Sequence, residues 1–292
     1  MDLLLKENRT HGDILFPFAL YKMEYHTPAT ILDCHWHDEL EFLLLTEGEG
    51  VFQVGTRQYD LKPGQALFIH GGEIHSGISS SNASGFTAIV FHPSFLNSNP
   101  HDLIQGKYIN PILEKQRLLP TVIRNEEGWE KDVLMHLKEA IEAAEQKEYA
   151  YEMQIKAHLY AMFSILLRNT PKEIAEPAYL NRANRLKEVI GYIQKNYGRE
   201  IHISELSRIA NMSEGHFCRF FKKIVLKTPI EYINYYRVIK AAALLKSTDR
   251  KLLDIAMEVG FNNFSYFIGR FKQYMNTTPA RYRRAKESEE QQ

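Results

Sequence analysis

One stretch of this chain repeats itself. At an offset of 50 residues, Ile203 matches Leu253, Ile209 matches Val259, Ser213 matches Asn263, Phe217 matches Phe267 and Phe221 matches Phe271. Lys222, Thr228, Pro229 and Tyr232 recur as Lys272, Thr278, Pro279 and Tyr282. Such a repeat confines the fold, because each copy must build the same supersecondary unit. Each copy reads as helix, short turn, helix, over about 203–224 and 253–275. In the first, residues 204–210 are helical, Asn211-Met212 turns the chain, and Ser213 has the residue type that caps a second helix. In the second, residues 253–259 are helical, Gly260-Phe261 turns, and Asn263 caps. A helix-turn-helix can place its second helix in the major groove of DNA, about 12 Å wide, while the first crosses the backbone.

Within each second helix the two Phe lie four residues apart and face the core. The outward positions are Glu214, Gly215, Cys218 and Arg219 in one copy, and Phe264, Ser265, Ile268 and Gly269 in the other. Lys222, Lys223 and Lys272 stand at helix ends, where they would meet phosphates and supply affinity without sequence information.

The formal net charge of the 292 residues is zero, which at first discourages a nucleic-acid partner. Split along the chain, it does the reverse. Residues 1–181 carry 15 Lys+Arg against 25 Asp+Glu, a net of −10; residues 182–286 carry 21 against 8, a net of +13. A basic block of a hundred residues beside an acidic one is the asymmetry of a nucleic-acid-binding module fused to something else. With 44% apolar and 25% charged residues, the chain is not disordered. Its two cysteines, Cys34 and Cys218, lie too far apart in sequence for a disulfide framework and fit a reducing cytoplasm. No apolar run approaches the roughly 20 residues of a membrane span, and the start reads as no signal peptide, so no membrane partner is expected.

Upstream, residues 19–91 read as short alternating strands separated by Gly and Pro turns: 39–45, 50–54, 57–61, 66–69 and 86–91. That pattern predicts an antiparallel barrel or sandwich. Two amphipathic helices follow, one with Trp129, Val133, Leu137, Ala140, Ile141 and Ala144 on a face, the other with Tyr151, Ile155, Leu159, Met162, Phe163 and Leu166. Both stripes are read as packing on the barrel, with a dimer interface as the functional alternative. The expected domains are 1–168, a linker over 169–181 with Pro171 and Pro177, and 182–286. The fold class is α+β and multidomain: a β-barrel with two packing helices, then an all-α double helix-turn-helix.

The second repeat reads Ile255-Ala256-x3-Gly260-Phe261-x-Asn263-x-Ser265-Tyr266-Phe267-x2-Arg270-Phe271-Lys272-x5-Thr278-Pro279-x2-Tyr282-Arg283. This resembles the signature of the AraC family of bacterial transcription regulators, and Arg237-x3-Ala241-x2-Leu244-Leu245 looks like that family's linker helix. The likeness covers about residues 183–285. It implies two recognition helices in successive major grooves of double-stranded DNA, and implies a homodimer and, for an activator, contact with RNA polymerase. Two positions depart from the pattern. Asn276 replaces the usual Gly, and Gly269 stands where Arg is common, with Arg270 next, so the second unit would lean more on backbone contacts.

In the acidic half, His35-Trp36-His37-x3-Glu41-x6-Gly48 matches the spacing of the first cupin motif. Gly64-x5-His70-x-Gly72-x2-His75 approximates the second, with His70 for the usual Pro and Ser79 for the usual Asn. In a strand His35 and His37 share a face, and a facing His75 with Glu41 would complete a three-His, one-carboxylate set of the kind that holds a transition metal in cupin enzymes. The family resemblance weighs against that metal, since its N-terminal domains carry similar remnants without one and hold a small effector, commonly a sugar. His35, Trp36, His37, Glu41 and His75 are therefore the candidate effector residues, and no cofactor is expected. The leading expectation is an effector-controlled, non-enzymatic activator. The competing one is a cupin metalloenzyme, a sugar isomerase or dioxygenase, carrying a DNA-binding appendage; a third is a regulator that needs no effector. Nucleophile–base pairs, phosphate loops and dinucleotide fingerprints are not found in the sequence.

Overall fold

The computed structural model describes residues 5–7, 9–97, 102–171 and 177–289, with backbone alone for 177–183 and 285–289. The chain divides between residues 183 and 184 into two units, each with its own core.

Among the described residues the first unit is built on nine antiparallel-paired strands: β1 (Phe18–Tyr25), β2 (Ala29–His35), β3 (Leu40–Glu47), β4 (Gly50–Val54), β5 (Arg57–Leu61), β6 (Ala66–Ile69), β7 (His75–Ser79), β8 (Ser84–Phe91) and β9 (Val122–Ile123). They form a five-stranded sheet in the order β1-β8-β3-β6-β9 and a four-stranded sheet in the order β2-β7-β4-β5. Three strands keep the bounds that their turn residues predict: 50–54, 57–61 and 66–69. At Gly48, between β3 and β4, φ is +74° and a Cβ would lie 2.4 Å from the Ala83 carbonyl oxygen, so only glycine fits the turn.

Strand β3 departs from the alternating pattern expected of it. Residues 40–45 are all buried, because β3 has an apolar layer on each side. Leu43 and Leu45 join Ile31, Phe52, Val54, Leu67, Phe86 and Ala88 inside the barrel. Leu40, Phe42 and Leu44 face outward onto helices, beside Phe68, Ile89 and Phe91. After a short α1 (Asn110–Leu113), those helices are α2 (Gly128–Gln146) and α3 (Tyr151–Asn169). Their apolar stripes lie where the periodicity places them: Val133, Leu137, Ile155, Leu159, Met162 and Phe163 are all buried against the five-stranded sheet. Phe163 stacks against three strands at once, its ring centroid 6.0 Å from Phe42, 5.7 Å from Phe68 and 6.5 Å from Phe91.

The second unit is helical. It comprises α4 (Pro177–Asn196), α5 (Ile203–Ile209), α6 (Glu214–Val225), α7 (Pro229–Ser247), α8 (Leu252–Glu258), α9 (Phe264–Met275) and α10 (Pro279–Glu289). Helix α4 starts at Pro177, inside the stretch read as linker, since proline's missing N–H costs nothing in a first turn. Asn169 likewise ends α3, and the linker's residues 172–176 lie outside the described residues. Among the described residues no helix is long and apolar enough to cross a membrane.

The sequence repeat is a repeat of packing. Phe217 and Phe221 stand 5.6 Å apart, with Tyr232 5.8 Å from Phe221; Phe267 and Phe271 stand 5.7 Å apart, with Tyr282 5.5 Å from Phe271. The caps differ. Asn263 accepts from the Tyr266 N–H at 2.9 Å, whereas Ser213 occupies the same place on α6 without a side-chain capping bond. Thr228 closes a capping box at the start of α7, donating its N–H to Glu231 at 2.7 Å and accepting the Glu231 N–H at 3.2 Å. Arg237 ties α7 to the end of α4, donating from Nε to the Tyr197 carbonyl at 2.8 Å and from Nη2 to the Arg199 carbonyl at 2.7 Å.

Leu226 ends α6 with φ +60°, the position matched by Asn276 at +53°, and a leucine there bears a left-handed penalty of about 1–2 kcal/mol. Leu226→Gly, discounted for the freedom glycine adds to the unfolded chain, raises stability by about 0.5–1 kcal/mol in urea unfolding. Glu205, at the start of α5, is held at about 2 by Arg199, Tyr192 and the His202 N–H. Because this pKa is depressed, the stabilisation is complete above the ordinary value of 4.5 and is lost as pH falls toward about 2. Glu205→Gln lowers the urea midpoint at neutral pH, and the gap from the parent protein closes across that acid window.

Candidate functional site

Strand parity places a carboxylate inside the barrel. Glu41 precedes Leu43 and Leu45 on the inward side of β3, and it is 3% exposed. A buried carboxylate needs partners, and two strand ends supply them. His35 ends β2 and His75 begins β7, directly opposite each other in the register of the four-stranded sheet. His37 follows in the connection to β3. The cluster thus spans both sheets. The donor atoms of His35, His37, Glu41 and His75 all lie within 4.8 Å of one another. Glu41 Oε2 is 3.0 Å from His37 Nε2 and 3.4 Å from His75 Nε2.

Burial opposes the charge of Glu41, but the His37 and His75 rings outweigh it and hold the carboxyl well below the ordinary range. Burial likewise works against His37, and the Glu41 contact reverses it, leaving His37 raised. His35 has no such bond to Glu41; burial and the neighbouring His75 ring push it down to about 4.

Of the five residues named from the sequence, the structure brings these four together and leaves Trp36 apart. Trp36 is half-buried, its backbone paired with Leu5 and Glu7 and its ring lying 4.9 Å beneath Lys6 Nζ. His70 also stays out. It follows β6 on the helix side, its ring 4.7 Å from Phe68, with burial lowering it to about 4. Ser79 instead donates to the Glu49 carbonyl at 2.7 Å. Two neighbours escape the motif. Glu7 Oε2 lies 3.6 Å from His35 Nε2 and 3.5 Å from His11 Nε2, and the His11 ring is 5.4 Å from that of His37. Glu7 reaches the cluster because residues 5–7 run beside Trp36, a pairing that no local pattern signals, and His11 comes with it through its contact with Glu7.

In the helical unit, α6 turns Phe217 and Phe221 inward and leaves Glu214, Gly215, Arg219, Lys222 and Lys223 exposed, with Cys218 half-buried. A Cβ on Gly215 would lie 3.7 Å from Arg219 Nη1, an ordinary van der Waals contact. On α9, Ser265, Gly269 and Lys272 are exposed. Phe264 and Ile268, expected to face outward, are half-buried and pack on the core formed by Val238, Ile255 and Phe267. The α9 surface is therefore narrower than the sequence indicates. Arg270 is half-buried too, its guanidinium 4.9 Å over the Tyr266 ring and donating to Gln273 at 2.8 Å. Tyr266, which sequence reasoning passed over, is exposed beside it and accepts from Asn234 Nδ2 at 3.0 Å. Its position one residue after Ser265 on an open helix face was the available signal.

Residues 17–170 match the AraC-like ligand binding domain, and residues 206–285 match a helix-turn-helix domain. The uncharacterized HTH-type transcriptional regulator YdeC of Bacillus subtilis is 28% identical over 289 residues, 97% of each chain. The melibiose operon regulatory protein of Escherichia coli K12 is 20% identical, covering 98% of this chain and 95% of that one. The DNA-binding domain of AdpA, solved in complex with a target DNA, is 26% identical over 37% of this chain and 97% of its own, with a TM-score of 0.35. With its ligand-binding domain matched over residues 17–170 and a helix-turn-helix domain over 206–285, the chain belongs to the AraC family of transcription regulators.

Proposed function

We propose that this regulator is an activator that reads double-stranded DNA with α6 and α9 in successive major grooves, under control of a small effector held in the N-terminal barrel. The observation that carries the reading is the doubled unit: two helices with the same aromatic underside, on the +13 segment, each opening an exposed face. In this reading Arg219, with Glu214, Gly215 and Cys218 around it, touches base edges from α6. Lys222, Lys223 and Lys272 meet phosphates. On α9, Ser265 and Gly269 allow close approach, while Phe264 supports the helix and Arg270 stays on the backbone side.

The effector acts by binding one state of the protein more tightly than another, and a homodimer contacting RNA polymerase in the cytoplasm is the working form. The melibiose operon in the relative's name supports a carbohydrate as the organic class of effector, with the partly exposed edge of His35 the group of the cluster it would reach. The enzyme alternative needs a substrate at the cluster. His37, Glu41 and His75 are each at most 3% exposed, which favours a sensor over a catalytic centre.

Binding of the full chain to its own promoter fragment across salt concentrations tests this. Affinity falls steeply with salt because phosphate contacts release counterions. Arg219→Ala costs about 1–3 kcal/mol and relaxes preference in one half-site, whereas Lys272→Ala weakens every sequence alike and lowers the salt slope by about 1. A flat salt response, or an Arg219→Ala protein with unchanged affinity and preference, overturns the assignment.

A further inference from the structure

Hydrogen bonds fix how the three imidazoles of the barrel cluster present themselves. A backbone carbonyl can only accept, so an Nδ1 that faces one must carry the proton. His35 Nδ1 donates to the Asp33 carbonyl at 2.7 Å, His37 Nδ1 to the Glu39 carbonyl at 3.2 Å, and His75 Nδ1 to the Glu73 carbonyl at 2.8 Å. In each neutral ring the lone pair is then on Nε2. Three lone pairs and the Glu41 carboxylate converge within 4.8 Å, and such a set repels itself unless something positive sits among them. A proton on His37 joins that ring to Glu41 at 3.0 Å. It leaves His75 Nε2 buried without a hydrogen-bond partner, though only 3.4 Å from the same carboxylate oxygen.

We propose that His35, His37 and His75, through Nε2, and Glu41, through Oε2, form a binding site for a divalent transition-metal ion. One ion satisfies all four donors together. With bonds of about 2.0–2.1 Å, tetrahedral ligands lie about 3.3 Å apart; the two carboxylate pairs stand at 3.0 and 3.4 Å, and the whole set, within 4.8 Å, draws in by side-chain adjustment as the ion binds. Imidazole with one carboxylate favours zinc, copper, iron or nickel over magnesium or calcium, which take oxygen ligands. The backbone carbonyls act as the outer partners that hold metal-binding histidines in one tautomer. Charge agrees as well, since Glu7, 3.6 Å from His35 Nε2, adds a second carboxylate to balance the ion. The burial that disfavours catalysis suits an ion that is sensed or that braces the two sheets. The site itself stands on this geometry; only its role as the effector rests on the sensor reading above.

The test uses the full chain, stripped with a chelator and titrated with Zn²⁺ or Co²⁺. Elemental analysis is expected to give one ion per chain, with the visible absorption of imidazole-ligated Co²⁺ and a raised melting temperature. His75→Ala and the more exposed His35→Ala each lose more than the roughly 10–100-fold that removing an outer partner costs. Exposed His92→Ala binds as the parent does. Absence of stoichiometric ion from the parent, or unchanged affinity in both variants, overturns the site. Promoter affinity of stripped and loaded protein separates the two ideas. One tightly bound ion with no change in DNA affinity keeps the site and removes its sensing role. DNA affinity that answers to an organic effector in a protein that binds no ion does the opposite.

Discussion

The burial of β3 on both faces is the constraint on which the first unit depends. Phe42 and Leu44 anchor the helix pair, and Leu43 and Leu45 fill the barrel. Shifting the strand by one residue would exchange these two sets, so its register is fixed from both sides. Glu41 is carried inward by the same parity. An ionised carboxylate removed from water without partners costs several kcal/mol, so the fold is tolerable only where positive or donating groups meet it. The β2–β7 pairing provides them by setting His35 opposite His75 at the end of the neighbouring sheet. The polar cluster is thus a consequence of the apolar packing.

In the second unit the constraint is a ladder of rings. Phe217–Phe221–Tyr232 and Phe267–Phe271–Tyr282 fix each second helix by the same contacts, so the two exposed faces are set by the residues between them. There the copies diverge. Helix α6 offers an exposed, charged face of Glu214, Arg219, Lys222 and Lys223. On α9, Phe264 and Ile268 are drawn to the core, and Arg270 lies over Tyr266. A helix that spends its apolar residues on packing has fewer side chains left to reach a base edge. The asymmetry of the two exposed faces follows from packing.

Much of this was legible in the residues, for identifiable reasons. Strands β4, β5 and β6 are bounded by Gly and Pro turns, and their limits follow from those turns. Strand β7, His-Ser-Gly-Ile-Ser, carries no apolar run, and β2 pairs with it through register shifts that interrupt alternation, so both elude a period-two search. The helical stripes of α2 and α3 were legible because each buries a single face. In the cluster, His35, His37 and Glu41 are local in sequence, and His75 was found through its motif. Glu7 and His11 were not, because their approach depends on a backbone pairing beside Trp36. The caps divide similarly. Asn263 and Ser213 are equivalent by residue type, yet only Asn263 bonds the helix start, since type gives capacity and backbone geometry decides its use.

The position of the cluster also limits how any occupant can act. Its donors come from β2 and β7 in one sheet, β3 in the other and the β2–β3 connection, so an occupant crosslinks the sheets and stabilises the folded barrel. At a hundred times its dissociation constant, a ligand of the native state alone adds about 2.7 kcal/mol. That gain is blind to DNA. An occupant alters promoter affinity only through a difference in its affinity for the DNA-competent and incompetent states, and by linkage DNA must then alter the occupant's affinity by the same factor. Barrel stabilisation and DNA coupling are therefore separate free energies. A tightly held ion that contributes all of its binding energy to the barrel would be a structural brace, however close it sits to the sensor's centre.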